Sequence, residues 1–108
     1  MIQKTEETFW VKLYIAGPEP VAEQICREYC FNVGLCVTIE KTKFIYTGGE
    51  ETGVIVGLIN YPRFPEDPGN INKVAEGLAM KMLREMHQHS VLIQTPQTTK
   101  WISLRESE

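Results

Sequence analysis

A chain of 108 residues, 43% hydrophobic and 23% charged, has the size and mix of one domain able to bury a core without disulfides or metal. Its net charge of −3, with the basic residues scattered among acidic ones, counts against a nucleic-acid binder, whose affinity rests on neutralising phosphates. The polar start Met1–Glu7 lacks a signal-peptide core, no apolar run approaches the roughly 18 residues of a membrane span, and three cysteines imply no full disulfide framework, so a reducing cytoplasm, of a bacterium or an infected host, is expected.

Polar, charged ends at 1–7 and 105–108 read as flexible. From Thr8 to Ala16 the sequence alternates, with Phe9, Val11, Leu13 and Ile15 on one face and Thr8, Trp10, Lys12 and Tyr14 on the other, the period of a strand. Gly17-Pro18-Glu19-Pro20 breaks it, and Pro20 suits the first turn of a helix. That helix carries an apolar stripe of Val21, Ala22, Ile25, Cys26, Tyr29 and Val33, and Gly34 is placed to end it.

Alternation resumes over Leu35–Glu40 and again at Phe44-Ile45-Tyr46, which reads as one long or bulged strand. The segment 47–53 reads as a glycine-punctuated hairpin loop, and Val54–Tyr61 as the returning strand, with Gly57 allowing a bulge or a close backbone approach. A proline-rich connection, 62–69, leads to a second helix capped by Asp67 or Asn70, its stripe being Ile71, Val74, Ala75, Leu78, Met82 and Met86. Ser90–Gln94 is a fourth strand; Thr99–Leu104 is a fifth or its bent continuation. The order β-α-β-β-α-β(β), closed by right-handed crossovers, predicts a ferredoxin-like α+β fold: one antiparallel sheet with both helices on one face, in a single domain over 1–108.

Such a sheet has an open face. Trp10, Lys12 and Tyr14 fall there, joined by Cys36, Thr38 and Glu40 and by Leu92 or Trp101, and so many aromatics on an outer face mark an interaction surface. Sheet-on-sheet homodimerisation is the first expectation for it, a ligand or protein partner the second, and stacking of single-stranded nucleic acid a distant third. No cofactor, metal or membrane partner is implied.

Other residues that carry chemistry have plain readings beside them. Cys26 and Cys30 share a helix face but lack the paired spacing of a zinc site, and Cys26 belongs to the apolar stripe. His87 and His89 bracket a helix end, where capping is the ordinary role. Gly48, Gly49 and Glu50 sit in a glycine-rich segment that matches no phosphate-binding spacing, and the glutamates repel phosphate. Tyr61, Arg63 and Phe64, on a connection stiffened by prolines, combine a guanidinium for an anion with rings to stack on a flat group.

Signatures of zinc proteases, serine hydrolases, P-loops and EF-hands are absent from the sequence. Together these features point first to a small non-enzymatic binding module, a homo-oligomer that sequesters or senses a small anionic ligand or masks a protein partner, of the accessory kind found in bacterial or phage genomes. The alternative is a small open-sheet dimeric enzyme in which Thr38, Glu40, His87 and His89 supply acid–base chemistry. A third reading is a purely structural assembly protein.

Overall fold

The computed structural model describes residues 1–105. Seven elements follow one another: β1 (Trp10–Ala16), α1 (Glu19–Val33), β2 (Thr38–Tyr46), β3 (Gly49–Ile59), α2 (Pro68–Glu85), β4 (Ser90–Gln94) and β5 (Thr99–Ser103). They form one antiparallel sheet in the order β2-β3-β1-β4-β5. Its first four strands have the ferredoxin-like order, and β5 extends it beyond β4. Residues 90–104 are therefore two strands, joined by a turn in which Thr95 N–H donates to the Thr98 carbonyl at 2.8 Å.

One alternation sets the layers. Val11, Leu13 and Ile15 of β1, Val54, Val56 and Leu58 of β3, and Val91 and Ile93 of β4 are all buried on one face. Against them pack Ala22, Ile25 and Cys26 of α1, and Ile71, Ala75, Leu78, Ala79, Met82 and Leu83 of α2. Both helices thus cover one face of the sheet, as the sequence predicts. Burying a Leu or Ile side chain here contributes about 1.5–3 kcal/mol, so this layer carries most of the stability.

The helix ends follow the local chemistry. Gly34 closes α1 at φ 78°, a left-handed conformation that costs glycine nothing, and its N–H donates to the Cys30 carbonyl at 2.8 Å. Asp67 is the cap of α2, its carboxylate accepting from Asn70 N–H at 2.8 Å. The Tyr29 hydroxyl, donating to the Val74 carbonyl at 3.0 Å, ties the two helices together.

Three details differ from the sequence reading. The loop expected over 47–53 is a two-residue turn, Thr47-Gly48, with Tyr46 opposite Gly49, and Gly49–Gly53 already belongs to β3. The register runs unbroken through Gly57, so there is no bulge; the glycine instead admits the side chain of Thr38 on the neighbouring strand. Leu35, Cys36 and Val37 stay outside β2, which begins only at Thr38. Of the ends expected to be flexible, 106–108 lie outside the described residues.

Candidate functional site

Because side chains alternate, the pairing registers fix which residues share the outer face. One row crosses all five strands: Trp101, Leu92, Tyr14, Ile55 and Glu40. The next row is Thr99, Gln94, Lys12, Gly57 and Thr38. Trp10 and Ile59 pair at one end of this face, and Ala16 with Gly53 at the other. The sequence-chosen residues Trp10, Lys12, Tyr14, Thr38 and Glu40 therefore do lie on one surface, together with Trp101.

At the Ala16–Gly53 end this face deepens into a groove of about 770 Å³, within the range of small-molecule sites. Tyr14, Leu92 and Trp101 form its floor and one side. Phe44 closes the other side by lying flat over Gly53: a Cβ at that glycine would collide with the Phe44 ring and with the Ile15 carbonyl. Glu51, Gln88, His89, Ser90 and Gln94 supply polar groups.

Polar geometry in the groove is partly preset. The Tyr14 hydroxyl donates to Gln94 Oε1 at 2.9 Å, which turns the Gln94 amide N–H groups toward the groove, where no described residue accepts them. Glu51 receives a long bond of 3.4 Å from the Tyr46 hydroxyl. That hydroxyl is pushed up in pKa, first by partial desolvation and then by the Glu51 carboxylate beside it. The groove thus offers aromatic faces for a flat group, an amide donor, and charged or titratable groups from separate elements, the Glu51 carboxylate, the His89 imidazole and the Arg105 guanidinium.

The remaining sequence candidates divide among other places. Lys12 Nζ lies 5.4 Å from the Trp10 ring centroid, a cation–π contact on the outer face but outside the groove. Gly48 occupies the hairpin turn at φ 86°, Gly49 begins β3, and Glu50 pairs with Lys43 at 3.1 Å on the opposite side of the strand from Glu51. Tyr61, Arg63 and Phe64 stand at the far end of the sheet, the Arg63 guanidinium 5.4 Å from the Phe64 centroid. Cys36, assigned to the open face from the sequence, instead lines a separate end cavity with Cys30, Tyr61 and Phe64.

Of the two histidines, only His89 reaches the groove; His87 is held at φ 55° where the chain leaves α2. Cys26 is a core residue, its thiol raised to about 11 by burial and by neighbouring Cys30. Phe44 and Gln94 were missed from the sequence, and Glu51, read as part of a loop tip, was not placed on this face. The signal for Phe44 and Glu51 was the turn length: a two-residue turn puts Glu51 opposite Phe44, on the face of Tyr14.

No family model and no curated protein matches the sequence. Among solved structures, a phage SAM lyase in its apo state superposes with a TM-score of 0.80 at 13% identity, over 100% of this chain and 99% of its own. A phage SAM lyase in complex with S-methyl-5'-thioadenosine matches with a TM-score of 0.70 at 11% identity, over 100% and 98% of the two chains. At such identities the likeness establishes the fold. It also corrects the first functional reading: the solved relatives in shape are enzymes, not non-enzymatic sequestering modules, and the open-sheet enzyme named as the alternative is the reading they favour.

Proposed function

We propose that this chain is a carbon–sulfur lyase acting on S-adenosylmethionine, with the outer-face groove as its site. The single observation that carries the reading is the end-to-end likeness to a lyase whose complex holds a thioether nucleoside. The groove supports it, being wide enough for a nucleoside and lined by the residue types such a ligand needs.

The chemistry suits those residues. S-adenosylmethionine carries a sulfonium, a permanent cation whose positive charge vanishes as the bond from sulfur to the four-carbon fragment breaks and both electrons pass to sulfur. The products are S-methyl-5'-thioadenosine and a carbon fragment that a lyase completes without water. The fragment's own carboxylate closes on the emptied carbon, or the adjacent carbon gives up a proton. Aromatic faces bind the sulfonium without the hydration that would stabilise it, so loss of charge is favoured once the groove is dry.

Each groove residue then has a role. Trp101 and Phe44 stack on the adenine. Gln94, oriented by Tyr14, donates to the ribose or to the amino-acid carboxylate. Glu51 faces the sulfonium and, in the proton-loss route, accepts the proton. A second copy of the chain covers the outer face, a homodimer that excludes water from the groove; the exposed Trp101 and Ile59 are the apolar surface it buries.

Incubating the purified chain with S-adenosylmethionine and following the products by mass spectrometry tests this. Appearance of S-methyl-5'-thioadenosine with a four-carbon fragment lacking the mass of water is expected. An unchanged substrate, at any assembly state seen by light scattering, overturns the reading.

A further inference from the structure

A second cavity, of about 370 Å³, lies at the Trp10–Ile59 end of the sheet, away from the groove. It exists because a strand is missing. Thr38 is the first residue of β2 to pair, with Gly57, while β3 runs on to Ile59 with only β1 beside it. The linker that would have completed the ladder stays off the sheet, its Leu35 and Val37 packed against the core.

Ladder geometry shows what the vacancy leaves open. Asn60 N–H donates to the Phe9 carbonyl at 2.9 Å, so Leu58 and Asn60 turn their main-chain polar groups toward β1. Ile59, between them, turns its N–H and its C=O the other way, into the vacated position. Among the described residues neither finds a main-chain partner. One donor and one acceptor therefore sit side by side at the cavity, where Cys36 lines the facing wall.

Next to this pair stand two rings, Tyr61 and Phe64, with centroids 6.1 Å apart and planes 35° apart. Phe64 is 66% exposed, so its ring is accessible to an incoming flat group beside the Arg63 guanidinium 5.4 Å away. The lining contains no Lys or Arg, and its one carboxylate, Glu66, already accepts from Asn70 Nδ2 at 2.9 Å. The Arg63 guanidinium stands outside the lining, at the Phe64 ring. A neutral planar heterocycle with an N–H beside a ring nitrogen matches both the peptide edge and the rings.

We infer that this cavity binds the base of an aminopurine nucleoside, with the Ile59 main chain reading its amidine edge and Tyr61 and Phe64 covering its face. The inference is independent of the lyase reading and concerns a different part of the molecule.

Adenosine titrated into the isotope-labelled full chain, followed by amide and indole NMR, is the test. The Ile59 amide is expected to move with those of Leu35–Val37. N6,N6-dimethyladenosine, which lacks the N–H donor, is expected to bind about tenfold more weakly, the loss of one hydrogen bond. Because the Ile59 N–H has no ladder partner, Ile59→Pro is tolerated as on an edge strand and is expected to keep the fold by circular dichroism while losing this site. Ile59→Ala keeps both. Shifts confined to the Trp101 indole and other groove residues, equal binding of the dimethyl analogue, or a folded Ile59→Pro that binds like the parent would each overturn the proposal. Should that variant not fold, the titration of the unsubstituted chain decides alone.

Discussion

The groove and the end cavity are built in opposite ways. The groove has a floor of paired strands, so the side chains of that floor, Tyr14 and Leu92 among them, are placed by a register that the core behind it enforces. The end cavity is made by a departure from pairing, and its polar groups are main-chain atoms that a strand has left uncovered. On the two proposals, side-chain chemistry resides where the sheet is complete, and main-chain recognition where it is incomplete. Substitutions should separate the two.

The largest separation is expected from Glu51→Gln. It should lower kcat/KM for S-adenosylmethionine by about 100-fold or more, the ordinary weight of a group engaged in proton transfer or charge stabilisation, while leaving adenosine binding at the end cavity intact. Steady-state kinetics also sharpen the role: a fall in kcat with KM unchanged marks a group acting in the transition state, and a rise in KM alone marks one that only holds the cation. Phe64→Ala should do the converse, leaving turnover unchanged.

Leu13→Ala comes next. Leu13 is fully buried directly behind the Tyr14 row, and its truncation should cost about 2–5 kcal/mol in denaturant unfolding. Activity should fall with the fraction folded, in contrast to a groove variant that stays folded and loses turnover.

The sequence revealed these two regions unequally, for the same reason. Period-2 alternation in β1 was enough to place Trp10, Lys12 and Tyr14 opposite Val11 and Leu13, because a buried face fixes the register. The helix stripes, the Gly34 end and the Asp67 cap were equally readable, each resting on contacts within a few residues. Glu51 and Phe44 were hidden by a turn taken as seven residues instead of two. Nothing local announced the end cavity: Leu35 and Val37 alternate as strand residues do, yet they pack against the core without joining the sheet.

The thiols of α1 set the next expectation, on alkaline pH. Cys26 is held at about 11 by burial and Cys30 is also raised, first by burial and then by Cys36. The unfolded chain loses its thiol protons first, so stability should decline as pH rises from about 9 to about 11, by about 2 kcal/mol for Cys26. Chemical unfolding across that range checks the sign, and Cys26→Ala should flatten the slope. At pH 8 a small alkylating reagent should modify exposed Cys36 first and buried Cys26 last.

The smallest effect is expected from Asp67→Ala, which removes the cap of α2 beside the end cavity. About 1 kcal/mol of stability should be lost in thermal or denaturant unfolding, with turnover unaffected.

The two-residue turn at Thr47-Gly48 has a consequence for lengthening the protein. Beyond Thr42 and Gly53 the β2–β3 hairpin has exposed residues on both sides, Ile45 and Tyr46 among them, and no helix beneath it. Added residues there meet no wall, but they do meet a parity rule. A pair inserted into each strand merely carries the tip outward, whereas a single residue added to β3 alone between Glu51 and Gly53 turns Glu51 away from the groove. Residues added at the Thr47-Gly48 turn itself lie beyond Glu51 and leave its face unchanged, so a tag or epitope spliced there should leave the groove untouched.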